Sequence, residues 1–240
     1  MQVVLIHGMF VGPACWQHVS ELLAVQGIVS RTIRLHPEGI DKRDRGFRDV
    51  VASVLPQLRE LDEAPAILVG HSVGALVVEK VASSFPTSNL MLVNPSPSWG
   101  RLGPLFPLWF AARRGSFWKR EFRLTIPEAR RLLFQGMTPL ELDKASQVLE
   151  PESGELMREA FWFFDLFGAA TRISRNIGKR VTVITGSLDP FGTPAYGMYL
   201  SKTYGPACDL EVIQGAGHMS IMQGHGARRI VERITEMLKV

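Results

Sequence analysis

Short apolar runs alternate along this chain with stretches whose apolar positions recur at helical spacing. The first run, Val3 to Ile6, is uninterrupted and rich in β-branched residues, as expected of a strand buried on both faces. Ala14 to Gln26 then reads as a helix stopped by Gly27, and Val29 to Leu35 as a second strand. Phe47 to Leu61 predicts a helix with Val50, Val51, Val54, Leu58 and Leu61 on one face. Ala66 to Val69 predicts a third strand running straight into Gly70, Val73 to Ser84 a helix, and Leu90 to Val93 a fourth strand. After a gap the rhythm resumes with a strand over Val181 to Thr185 and a helix near Ala195 to Tyr204. A strand over Leu210 to Ile213 and a last helix to Leu238 complete the pattern. Alternating βα units of this kind predict an α/β fold with a mostly parallel sheet, here of about six strands flanked by helices.

Between Pro95 and about Ile177 the alternation breaks. No buried strand is evident there, but Thr125-Ile126-Pro127-Glu128 and Thr138-Pro139-Leu140-Glu141 each place Thr three residues before Glu, the pattern of a capping box. Gly136 suits the end of the first of these helices, and Glu155 to Phe167 predicts a third. The expected organisation is a core of residues 1–94 and 178–240, interrupted by an all-helical cap of residues 95–177.

The chemistry sits at strand ends. Ser72 is the centre of Gly70-His71-Ser72-Val73-Gly74, which follows a buried strand and opens a helix. A nucleophile elbow has this context, with small flanking residues and the serine hydroxyl raised above the sheet edge. A serine needs a base. Of the six histidines His7, His18, His36, His71, His218 and His225, His218 lies in Gly215-Ala216-Gly217-His218-Met219, just after the last strand. His7 reads as a hydrogen-bonded structural residue and His225 as a solvated one. The base needs a carboxylate to fix its tautomer, and Asp189 follows the strand Val181 to Thr185. The end of the fourth strand offers only Asn94-Pro95, which supplies no charge. Two N–H donors are needed for a developing oxyanion. Val73, next to the serine, and Met9, in the loop His7-Gly8-Met9-Phe10, are the expected pair. Phe10, His71, Trp109 and Phe163 are the expected pocket residues.

Four separated motifs, LIHGMF, GHSVG, GSLDPF and GAGHMS, together resemble the α/β-hydrolase superfamily over nearly the whole chain apart from the cap. The look is similar to small capped esterases, including plant methylesterases and hydroxynitrile lyases, which also carry Trp soon after the His-Gly strand, as Trp16 does here. The resemblance implies Ser72 as nucleophile, Asp189 as acid and His218 as base, with Met9 and Val73 forming the oxyanion hole. The first strand starts at residue 2, so about six strands are expected rather than the wider superfamily's eight.

The remaining features narrow the setting. A net charge of +4 in 240 residues does not point to nucleic acid. No apolar run reaches the roughly 18 residues that span a bilayer, and no secretory leader is evident, so a cytoplasmic protein, monomer or homodimer, is expected. Cys15 and Cys208 read as reduced thiols, and neither cofactor nor metal is expected. The cap is dense in aromatics, Phe106, Trp109, Phe110, Phe117, Trp118 and Phe161 to Phe164 among them, which fits an apolar pocket as well as cap-to-core packing. It is also basic between Arg101 and Arg131, with Arg113, Arg114, Arg120, Arg123, Arg130 and Arg131. A solvated surface is the plainer reading of these charges; attraction to an anionic substrate, an acyl carrier or a membrane surface is the sharper one. The expected activity is hydrolysis of a carboxylic ester, lactone or thioester through an acyl-serine. Acyl transfer, lyase or C–C bond cleavage on the same triad, and a ligand-binding receptor on the same scaffold, are the alternatives.

Overall fold

The computed structural model describes residues 2–85, 88–97, 120–160 and 180–239. Its centre is a six-stranded parallel sheet. The strands are β1 (Gln2–Ile6), β2 (Val29–Ile33), β3 (Ile67–His71), β4 (Asn89–Val93), β7 (Val181–Gly186) and β8 (Cys208–Ile213), in the spatial order β2-β1-β3-β4-β7-β8. β1, β3, β4 and β7 lie inside the sheet and are buried almost throughout, which is why they read as continuous apolar runs. Edge strand β2, with sequence VSRTI, alternates between exposed and more buried positions. The register sets Leu5 beside Val69, Val69 beside Met91, and Leu92 beside Val183.

Helix α1 (Gln17–Val25) ends before Gly27, whose φ of +72° reverses the chain at little cost because it has no Cβ. Helix α2 (Phe47–Arg59) buries Phe47, Val50, Val54 and Leu58 on one stripe. Helix α3 (Val73–Val81) starts directly after Ser72 and is buried nearly all round. The last two helices of the core are α7 (Pro194–Tyr204) and α8 (Gly224–Leu238). α1 packs against α8 and α2 against α3.

The segment between β4 and β7 departs from the all-helical expectation. It contains helices α4 (Ile126–Leu132), α5 (Pro139–Gln147) and α6 (Gly154–Ala160), but also an antiparallel pair of two-residue strands, β5 (Glu121–Phe122) and β6 (Glu152–Ser153). Strands this short carry no period-two signal, and Glu152 is not a strand-forming residue by propensity, so sequence pattern misses them. The capping boxes are present: Glu128 accepts from the Thr125 N–H at 2.7 Å, and Glu141 from the Thr138 N–H at 2.8 Å. Glu141 also accepts from the Gly224 N–H at 2.6 Å, where the positive end of α8 favours a carboxylate.

Candidate active site

The sheet runs outward from β1 to β2 and then resumes on the other side of β1 with β3, so the loops after β1 and β3 part at the carboxyl edge. Crevices at such switch points are where open α/β sheets hold ligands. Ser72 stands there with φ +56° and ψ −122°. Both flanking glycines are required: a Cβ on Gly70 would come within 2.4 Å of the Gly74 carbonyl, and one on Gly74 within 2.4 Å of the His7 carbonyl. The β1 loop passes equally close, since a Cβ on Gly8 would lie 2.7 Å from Ser72 Cβ. Gly8 is therefore held beside the serine, and Val73, next to Ser72, is the first helical residue of α3.

Ser72 Oγ lies 2.9 Å from His218 Nε2, and His218 Nδ1 lies 3.0 Å from both Asp189 oxygens. All three side chains are buried. In the tautomer this geometry requires, Ser72 donates to Nε2 and Nδ1–H donates to the carboxylate. Burial pushes the Asp189 carboxyl up, but the facing His218, the Phe191 N–H at 2.7 Å and the Asn94 amide at 2.6 Å outweigh it and hold the group below its ordinary range. Asp189 is thus a carboxylate at neutral pH. Aromatic faces confine the imidazole: the rings of Phe191 and His71 each lie with centroids 5.0 Å from that of His218.

His71 belongs to this scaffold. Its Nε2 donates to the His218 carbonyl at 2.8 Å, its ring stands edge-on to Trp16, and burial lowers its pKa to about 3. His7 is the structural residue its position implies. It donates from Nδ1 to the Gly8 carbonyl at 2.8 Å and accepts from the Leu35 N–H at 3.2 Å, so it is a neutral imidazole, its pKa lowered by burial to about 4. His225 is exposed at the start of α8.

Sequence reasoning passed over four groups that the fold brings to this place. Asn94, set aside for lacking a charge, uses its neutrality: the amide donates to Asp189 and, at 3.0 Å, to the Gly217 carbonyl, while its oxygen accepts from Ser220 at 2.8 Å. Its φ of +48° is tolerated better by asparagine than by most residues. Ser96 Oγ lies 3.2 Å from Ser72 Oγ. Gln135, from the segment between α4 and α5, accepts from the His218 N–H at 3.4 Å, while Leu133 accepts from the Met219 N–H at 3.1 Å. Glu152 on β6 accepts from the Phe10 N–H at 3.4 Å. None of these four contacts has a sequence signal; the β4 end was legible as a site position, not as a neutral donor.

Of the expected pocket residues, Phe10 is buried with φ +65° and packs edge-on against Phe122. Trp109 and Phe163 lie outside the described residues, as do Arg113, Arg114 and the aromatics Phe106, Phe110, Phe117, Trp118 and Phe161 to Phe164. Phe122 and Phe134 are buried core members. Arg120 pairs with Asp44 of the core, and Arg123 with Glu121 at 2.9 Å, so these two cations are engaged in surface pairs.

The sequence model of the alpha/beta hydrolase family matches residues 3–233. The chain belongs to that family. Solved structures of other proteins superpose on it nearly end to end. Polyneuridine aldehyde esterase does so with a TM-score of 0.71 at 17% identity, covering 98% of each chain. A methylesterase from Arabidopsis gives 0.72 at 16% identity, covering 100% of this chain and 99% of its own. Tomato methylketone synthase I bound to 2-tridecanone gives 0.73 at 15% identity, over 99% and 97%. At these identities the likeness establishes the fold. Methylesterase 17 of Arabidopsis thaliana is 32% identical over 90 residues, 35% of this chain. That match spans only 32% of the relative's length. In this α/β hydrolase family member Ser72, His218 and Asp189 meet at the carboxyl edge of the sheet.

Proposed function

We propose that this protein is a serine hydrolase that cleaves a carboxylic ester with an apolar acyl or aromatic group through an acyl-serine intermediate. The observation that carries the reading is the unbroken chain of hydrogen bonds from Ser72 Oγ through His218 to Asp189, at the carboxyl edge of the sheet and beside the Gly8 loop. The esterases among its structural neighbours support the same reading.

In this reaction His218 Nε2 takes the Ser72 proton as Oγ attacks the ester carbonyl, and Asp189 stabilises the imidazolium that forms. The tetrahedral oxyanion is held by the N–H groups of Met9 and Val73. As the intermediate collapses, His218 gives the proton to the leaving alcohol. Water, deprotonated by the same imidazole, then attacks the acyl-serine and releases the acid. In this reading residues 120–160 belong to a cap over the site, with Phe10 walling the pocket and His71 behind the base. Two free cysteines fit a cytoplasmic setting.

A panel of p-nitrophenyl esters of increasing acyl length tests this. The wild-type protein is expected to turn over with an initial burst, and Ser72→Ala to lose activity by at least about 10³-fold. Turnover that survives Ser72→Ala, or fluorophosphonate labelling at another residue, overturns the assignment.

A further inference from the structure

We propose that Glu152, which comes from the cap segment, is a positioning residue for the oxyanion hole: its buried carboxylate sets the loop Gly8-Met9-Phe10 so that the Met9 N–H faces the reacting carbonyl. This inference rests on the serine-hydrolase reading of the site.

The loop that must present Met9 is held from the cap side. Phe10 sits at φ +65°, a left-handed conformation that few non-glycine residues adopt unless their surroundings enforce it. Both of its backbone groups are taken by the segment leading into β6: the Phe10 N–H donates to Glu152 Oε2 at 3.4 Å, and the Phe10 carbonyl accepts from the Glu150 N–H at 2.8 Å. Val11 and Leu149 form an antiparallel bridge one step further on. Strand β5 backs this contact, since Phe122 lies in register with Glu152 and its ring meets that of Phe10 edge-on at 5.9 Å. Because the Phe10 N–H is turned away to Glu152, Met9 is left as the donor next in line on the loop beside Ser72.

The carboxylate is itself fixed. Glu152 Oε1 accepts from the Ser153 N–H at 2.7 Å and faces His36 Nε2 at 2.9 Å, with both Glu152 and His36 buried. Burial raises the carboxyl's pKa, but His36, the Ser153 N–H and Lys42 together hold it below its ordinary value, so it accepts as an anion. A buried charge held this way contributes little net stability compared with an apolar residue of similar size. Its value lies in what it orients. The cavity on this side of the loop, about 270 Å³ and lined by His7, Arg34, His36, Lys42, Glu150 and Glu152, does not include Ser72, Asp189 or His218, so Glu152 acts through the loop rather than on substrate.

The experiment compares Glu152→Ala and Glu152→Gln with wild type, each at a concentration fixed by fluorophosphonate titration of Ser72. Measured are kcat and KM on a p-nitrophenyl ester, and the affinity of an alkyl boronic acid, whose serine adduct carries the tetrahedral anion. The expected result is a fall in kcat per titrated site of more than tenfold for Glu152→Ala, with KM within about threefold. Boronate affinity should fall by a similar factor, and Glu152→Gln, which keeps an acceptor for the Phe10 N–H, should lose less. A drop in melting temperature with kcat per titrated site and boronate affinity unchanged overturns the proposal. Should Glu152→Ala not fold, Glu152→Gln decides alone: a several-fold loss matched between kcat and boronate affinity supports it, and an unchanged kcat overturns it. Wild-type protein that neither labels nor turns over would instead refute the hydrolase reading.

Discussion

The amide of Asn94 reaches Asp189 Oδ2 and the Gly217 carbonyl at once, tying the acid to the loop that carries His218. Asn94→Ala removes both ties and leaves the Asp189 carboxylate short of a donor in a buried place. The expected outcome in steady-state kinetics is a fall in kcat of about 10- to 100-fold with little change in KM, because the imidazole is misplaced rather than the substrate unbound. Asn94→Asp should be worse, since it sets a second carboxylate where a donor stood 2.6 Å from Asp189. At this scale Ser72, Asp189 and His218 are legible in sequence because each has a glycine-marked loop after a recognisable strand. Asn94, Gln135, Ser96 and Glu152 are not, since an uncharged amide, a hydroxyl or a lone glutamate acquires its role only when distant segments meet.

Elements inside the sheet announce themselves because burial on both faces forces continuous apolar runs; β1, β3, β4 and β7 follow this rule. The β5–β6 ribbon lies below that threshold: it pairs two residues with two, and Phe122 is its one buried apolar side chain. The elbow is a junction of elements, and its tightness is testable. Gly74→Ala would drive a Cβ to within 2.4 and 2.5 Å of two β1-end carbonyls, His7 and Ile6, neither of which can swing aside as a side chain would. It should destabilise the fold by about 3 kcal/mol or more. Urea unfolding read by tryptophan fluorescence would give the value, and a midpoint within error of wild type would show that β1 and α3 are less closely packed than this.

For the molecule as a whole, acid is a predictable weakness. Folding holds His7 at a pKa of about 4 and His71 at about 3, below the ordinary 6.5, because burial disfavours the imidazolium. Between pH 6.5 and 4 the unfolded chain therefore binds protons that the native chain does not, and stability must decline as pH falls through that window. His7 alone accounts for about 2 to 3 kcal/mol between pH 7.5 and 4.5. Thermal unfolding at the two pH values should show the loss, and His7→Gln, whose amide can donate and accept in the ring's place, should flatten the dependence while lowering stability at pH 7.5. The same global view shows the segment between β4 and β7 gripping both loops of the site, through Leu133 and Gln135 on the His218 side and Glu150 and Glu152 on the Phe10 side.

β4 and β7 are neighbours in the sheet, Leu90 standing beside Val181, although more than eighty residues separate Val93 from Val181 in sequence. The intervening chain is a crossover whose two ends are fixed and whose length the sheet does not feel, since doubling such a loop costs only about 0.6 kcal/mol in closure entropy. Evolution can therefore rewrite that crossover, changing what enters the site, without disturbing the core. The freedom stops at the points where the crossover touches the reacting loops. Replacing Gln135 or Glu152 would remove a side-chain contact to a site loop, whereas Leu133 and Glu150 make theirs through the backbone, which any residue but proline at 150 keeps.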